Sequence, residues 1–245
     1  MIRATTVALL ASCIGGAAVA AQQPLAREQV LAALASATPQ APADFTGQDL
    51  SRLDLSGVDF KRANFTRCRL VGTNFSKAQL FATTLTDAVA TDADFTGATL
   101  DMVVMYRVDL RRAVLRDASM FGVVMPDADL SDADLSRARI VAPMARAKLL
   151  RAKLVHTSLG VDPGTQSMGM LRTDASSADF TDADLTGANL RKVLLAWADM
   201  TGVDLTDADV SGADLYQTKL RNIRGRERIR GLDHALHVDE AIFND

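Results

Sequence analysis

The stretch ADFTGQDLSRLDLSGVDFKRANFTRCRLVGTNF, residues 43–75, repeats every five residues, and the period persists to Ile140. Stepping by five from Phe45 gives Leu50, Leu55, Phe60, Phe65, Leu70 and Phe75, then onward through Phe95, Met120 and Leu130; all twenty positions to Ile140 are apolar. Two residues before each lies a second set, with eleven Ala, four Val and two Thr among its twenty members. The other three positions of each repeat are mostly Asp, Asn, Ser, Thr, Gly, Arg or Lys. A helix needs an apolar period near 3.6 and a strand a period of 2, and a sustained period of five fits neither. The spacing marks a repeat array.

The pattern, A-(D/N)-(L/F)-(S/T)-x, resembles the pentapeptide-repeat family over almost all of the chain after residue 43. The resemblance implies an all-β fold, a right-handed quadrilateral β-helix with four repeats to a coil. Elementary packing agrees with that geometry. A small residue at one inward position lets four walls approach a narrow axis, and a large apolar residue at the other fills it. Coils stacked at about 4.8 Å, the ordinary strand spacing, place residues twenty apart directly above one another.

The period slips once: Ile140 is followed by Met144, with Pro143 at the slip, and then by Leu149, Leu154 and Leu159. The pattern is lost in GVDPGTQSMG, Gly160–Gly169, where Asp162-Pro163-Gly164 signals a turn. Met170 and Ala175 are candidates to resume it, and clean repeats run from Phe180 to Leu220. The divisions expected are a signal peptide at 1–20, a helical cap and linker at 21–42, a first solenoid part at 43–159, a loop insertion at 160–177, a second part at 178–222, and a basic tail and cap at 223–245.

The ends carry different signals. Arg3, an apolar run from Val7 to Val19 and Ala18-Val19-Ala20 read as a secretory leader cleaved after Ala20. A competing reading makes Leu10-Ala11-Ser12-Cys13 a lipoprotein box. Either way the expected location is periplasmic or secreted, with no transmembrane anchor once the leader is removed. Pro24–Ala35 has helical character, with Val30, Leu31 and Leu34 on one face and Pro39 and Pro42 beyond it, as a cap over the first coil would. GLDHALHVDEAIF, with Leu232, Leu236, Ile242 and Phe243, reads as the closing cap. Cys68 falls at a small inward position, a packing thiol with no disulfide framework around it.

Stacking by twenty turns the sequence into a surface map. Phe81, Asp101, Phe121 and Val141 fall in one corner column, with Met102, Val104, Tyr106 and Val124 beside them: an apolar strip where the pattern expects polar residues. Two explanations stand. The 160–169 loop leaves from the same corner and folds back over the strip with Met168 or Leu171, or the strip is a partner-binding patch. Candidate interaction residues are therefore Phe81, Met102, Tyr106, Phe121, Val124, Val141 and Met168. The acid-free run with Arg137, Arg139, Arg146, Lys148, Arg151 and Lys153 suggests an anion-binding belt. Stacking instead sets Lys148 over Asp129, Lys153 over Asp134, Arg151 over Asp132, and Arg137 between Asp117 and His156, a charge ladder. A late acidic face, with Asp179 over Asp199 and Asp184 over Asp204, precedes the basic tail.

No chemistry-bearing motif accompanies these features. There is no G-x-S-x-G, no phosphate-cradling glycine loop and no H-E-x-x-H. The 160–169 loop offers Asp162, Thr165, Gln166 and Ser167 but no base. His234 and His237 lack the third His or Cys of a convincing metal site. The reading is of a protein that is not an enzyme, with no cofactor, no metal and no catalytic residue. It is a solenoid acting as a structural or protein-interaction module of the cell envelope. Its expected partner is another envelope protein, and a homodimer is a candidate assembly. The family resemblance offers an alternative, a DNA-mimicking, gyrase-binding quinolone-resistance protein. The export signal and the alternating surface charge argue against that alternative, and against nucleic acid as a partner.

Overall fold

The structure, a computed structural model, describes residues 24–60, 62–160 and 172–243. The leader expected at 1–20, Met168, Met170 and most of the 160–169 loop lie outside the described residues.

A β-helical solenoid follows from the bonding of each repeat. At Phe45 the amide donates to Asn64 O at 2.8 Å, and the Asn64 amide donates back to Ala43 O at 2.9 Å. The same exchange recurs along the array, giving parallel bridges between residues twenty apart: Asp44 with Asn64, Asp49 with Arg69, Asp54 with Asn74, Asp59 with Gln79. Four such columns make four walls. Most walls are too short to count as strands. Ser119–Phe121 (β1) and Arg139–Val141 (β2) are long enough, and they pair in parallel with Met120 beside Ile140.

Each corner is a four-residue turn, as where the Gln48 amide donates to Phe45 O at 2.9 Å. The third residue of the turn has positive φ, the signature of a type II turn. Gly often fills it, but Arg and Asp do so repeatedly: Arg52, Asp87, Arg107, Asp127 and Arg151 all have φ between 53° and 63°. Their amides bond the next coil, as Arg107 N to Pro126 O at 3.2 Å. Stacking thus holds the left-handed conformation where local preference does not.

The D/N-x-S/T spacing has a direct role. Asp94 Oδ1 accepts from the Thr96 amide at 2.8 Å and its hydroxyl at 2.5 Å, bracing the corner, and Asp179 does the same for Thr181. Inside, the large residues are fully buried and the N-terminal coils are filled by aromatic rings, with Phe75 stacked on Phe95 at 5.1 Å. Buried hydroxyls at the small inward position find a backbone carbonyl, either in the preceding coil, as Thr73 Oγ1 to Leu50 O at 2.8 Å and Thr157 Oγ1 to Leu135 O at 2.7 Å, or in their own turn, as Thr83 Oγ1 to Leu80 O at 2.8 Å. Cys68 Sγ donates to Phe45 O of the preceding coil at 2.7 Å, and burial pushes its thiol up to about 12.

The slip and the insertion appear as changes in coil length. Asp129 pairs with Lys148 and Arg139 with Ser158, nineteen residues apart, whereas Pro143 pairs with Asp174 and Ser158 with Asn189, thirty-one apart. The wall therefore resumes at Thr173–Ala175, both buried, earlier than the boundary at 178 expected from sequence. Asp174 and Ala175 occupy the outward and inward positions that Asp179 and Phe180 repeat.

Both ends are closed. The helix Arg27–Ser36 (α1) buries Val30 and Leu34 against the first coil, while Leu31 is only half-buried. Its Arg27 Nε donates to Asp54 O at 2.8 Å. Residues 223–243, expected as a basic tail and cap, form a further coil with longer sides. Asp204 pairs with Arg224, Asp209 with Arg230, Asp214 with Leu236 and β3 (Lys219–Leu220) with β4 (Ile242–Phe243). Successive sides are thus six residues, with short 3-10 turns at Arg226–Arg228, Leu232–His234 and Val238–Glu240. Among the described residues no helix is long and apolar enough to cross a membrane.

Candidate interaction surface

Stacking brings the apolar residues together as the column rule requires. The Ala82 amide donates to Asp101 O at 3.0 Å, Met102 N to Phe121 O at 2.8 Å and Gly122 N to Val141 O at 2.8 Å. Val104 pairs with Val124 on the adjoining wall, and Asp87 N donates to Tyr106 O at 2.9 Å. Phe81 is 54% exposed, Met102 50% and Tyr106 39%, while Phe121, Val124 and Pro126 are half-buried between them. Pro143 extends the face by a further coil and is exposed.

Two local devices keep this face apolar. Asp101, the one acid within it, turns its carboxylate inward to the Ser119 hydroxyl at 2.6 Å and the Phe121 amide at 2.9 Å. Gly122 gives Met102 a seat: a Cβ there would fall 2.6 Å from Met102 Sδ. Gly at this corner therefore lets the thioether lie flat along the rod instead of projecting from it.

Val141 does not belong to the exposed face, contrary to the expectation. It is only 7% exposed, and its neighbour Ala142 is fully buried. The one-residue slip is the cause. Shortening the corner draws Val141 and Ala142 inward, where the Ala142 amide meets Thr173 Oγ1 at 3.4 Å. Met168 lies outside the described residues.

The next corner of the rod is an ion ladder. Arg107 Nε and Nη2 donate to the two Asp87 oxygens at 2.7 and 2.9 Å, and Arg146 grips Asp127 with both distances at 2.7 Å. The hydrogen-bonded guanidinium holds each carboxyl below the usual carboxylate range. Parallel ladders run up the other corners as Arg112–Asp92, Arg151–Asp132 and Arg137–Asp117, each with paired bonds near 2.7 Å. Lys153 stacks over Asp134 as expected, but the ion pair of that carboxylate is with Arg116, whose guanidinium reaches it at 2.6 Å. Both Arg116 nitrogens converge on Asp134 Oδ2, and Oδ1 accepts from the Ser136 amide at 3.0 Å. Arg116, Arg137, Lys153 and His156, together with Asp134, line an open groove of about 330 Å³.

The acidic late coils are partly neutralised by their own chain. Lys219 reaches Asp199 at 2.9 Å, Arg224 reaches Asp204 at 3.4 Å, Arg191 reaches Asp209 at 3.1 Å and Arg228 pairs with Asp207. Trp197 and Tyr216 are not isolated aromatics. Their rings meet edge to face at 5.3 Å, and Tyr216 meets His237 at 5.6 Å. His237 Nδ1 lies 2.8 Å from Asp214 Oδ1, a bond that raises the imidazole above its ordinary value. His234 has a different partner, Asp233 at 2.7 Å, so the two imidazoles do not converge. Sequence reasoning missed this cluster because His237 enters it only through the six-residue sides of the last coil.

Comparison with known proteins places the array. The pentapeptide-repeat profile matches residues 43–76, 73–112, 104–140 and 194–222 in eight copies, just over half the chain. Among solved structures, HetL, a pentapeptide repeat protein involved in heterocyst differentiation regulation in the cyanobacterium Nostoc sp. strain PCC 7120, is similar at 23% identity. The match covers 81% of this chain and 86% of that one, with a TM-score of 0.37. Full-length QnrB1, a plasmid-mediated fluoroquinolone resistance protein, matches at 16% identity over 80% and 94% of the two chains, with a TM-score of 0.32. A pentapeptide repeat protein of the Arabidopsis thaliana thylakoid lumen is 27% identical over 52% of this chain and 74% of that one, with a TM-score of 0.21. No curated protein matches in sequence.

Proposed function

The chain belongs to the pentapeptide-repeat family, and from that premise we propose that it is a non-enzymatic, exported scaffold that binds another protein of the cell envelope. The observation that carries this reading is the contiguous apolar face of Phe81, Met102, Val104, Tyr106, Phe121 and Val124 on a rod whose other corners are laced with ion pairs. Contiguous exposed apolar surface of this kind marks an interaction site. Backbone bonds tie Met102, Val104, Tyr106, Phe121 and Val124 to a neighbouring coil, so the surface is presented rigid and loses little entropy on binding. The right hand of the helix is carried over from the family.

Export rests on the leader pattern in the first twenty residues. A duplex-DNA mimic needs a surface of one sign. Ladders that alternate Asp and Arg at each coil favour a protein partner instead.

A photo-crosslinking amino acid placed at Phe81 in living cells tests the reading, with Asp204 on another wall as the control position. An adduct of defined mass is expected from Phe81 and none from Asp204; equal labelling at both positions overturns the face assignment. Intact mass after cell fractionation tests export. A soluble periplasmic species beginning at Ala21 is expected, and uncleaved protein in the cytosol overturns the localisation.

A further inference from the structure

We propose that the apolar face, read above as an interaction site, also pairs with a second copy of this chain, the two rods lying side by side and antiparallel. The inference rests on that reading and adds an occupant to it, through the charge pattern along the edge of the face.

The ladder beside the face runs Asp87, Arg107, Asp127, Arg146, one residue per coil, alternating in sign. Two identical flat faces can meet about a twofold axis lying between them and perpendicular to the rods. Such an axis reverses the direction along the rod but keeps each edge on its own side, so the ladder of one copy meets the ladder of the other. If the axis passes through the level of one coil, like charges face each other. If it passes midway between two coils, every contact is between opposite charges: Arg107 opposite Asp127 of the other copy, and Asp87 opposite Arg146. Pairs already formed within each chain then become four-charge squares, with no carboxylate stranded.

The apolar residues select the same axis. The two richest levels are Met102, Val104 and Tyr106, and then Phe121, Val124 and Pro126. Midway between them, Met102 faces Phe121 of the second copy, Val104 faces Val124, and Tyr106 lies against Pro126. An isologous interface needs this self-complementarity. The face spans about four coils, roughly 15–20 Å. That is short of the area of a standard interface, about 800 Å² per partner, so the dimer belongs to the micromolar range and above.

Sedimentation equilibrium from about 1 to 500 µM tests the proposal on the purified protein. Dimer is expected at the upper end, and Met102→Glu, at an exposed position that leaves the core untouched, should abolish it. Register is read by mixing V104C with V124C under mild oxidation. The mixture should give a disulfide-linked heterodimer, and V104C alone little product. A wild type that stays monomeric to 500 µM, or V104C linking to itself as well as to V124C, overturns the antiparallel dimer. If the monomer persists while Met102→Glu still removes the Phe81 crosslink in cells, the dimer falls and the envelope-partner reading stands. If neither is seen, both fall.

Discussion

A single glycine can hold a corner open for two different reasons, and this chain separates them. At Gly47 a Cβ would meet nothing within 4 Å, so Gly47→Ala costs only the left-handed conformation, about 1 kcal/mol. At Gly225, where the last coil begins, a Cβ would fall 2.6 Å from the Thr206 Cα and 2.7 Å from its nitrogen. Gly225→Ala must therefore push backbone apart and should cost about 2–4 kcal/mol in all. Thermal unfolding of the two variants gives the check: the second should show the larger loss of Tm. His237 yields a prediction of opposite pH sign to the ladders. Asp214 raises its pKa, with Asp239 and Glu240 adding negative charge nearby, and Tyr216 packs on its ring. Glu240 is itself raised by its contact with Asp239. Both groups bind protons more tightly when folded, so their contribution is complete in acid and fades as pH rises through the folded values. Hydrogen exchange at 235–243, corrected for intrinsic rate, should show less protection at pH 8.5 than at pH 5.5, and His237→Gln should flatten the difference.

At the level of the coil, the ladders trade small energies for register. Asp87, Asp92, Asp117, Asp127 and Asp132 all lie below the usual carboxylate range because an Arg of the next coil bonds them. Their stabilisation is present above the ordinary carboxylate value and disappears as pH falls through the depressed one. Removing one rung with Arg151→Ala should lower Tm by no more than about 2 °C, because the pair is exposed and screened by salt. Removing Arg107, Arg112, Arg137, Arg146 and Arg151 together should shift the acid unfolding midpoint upward. The coil was also the most legible unit in the sequence. Phe45, Leu50 and their successors announce the inward set, Asp94 and Thr96 announce the corner brace, and Arg151 over Asp132 follows from counting by twenty once the one-residue slip is taken off. What the count could not show arises where side-chain shape or coil length departs from the rule. Arg116 reaches Asp134 from outside the column that Lys153 shares with it, and Val141 turns inward because the coil is one residue short. The closing coil was written in plain view as Ile223, Ile229, Ala235 and Ala241, six apart, and a search tuned to five passes over it.

Over the whole molecule, stability resides in the interfaces between coils, since no coil has a core of its own. Phe95→Asp places a charge among stacked rings with nothing to pair it and should abolish folding, seen as loss of cooperative unfolding and of β circular dichroism. The alternation of wall and corner has another consequence, for descent. Twenty residues return the backbone to the wall from which it started, and five advance it by one wall. A duplication of one full coil lengthens the rod and leaves each surface in line with itself. A duplication of one repeat turns everything after it by a quarter revolution, carrying Met102 away from Phe121 and Arg107 away from Asp127. Lineages that keep the face can change in length only by whole turns, whereas those that have lost it are free to drift by fives.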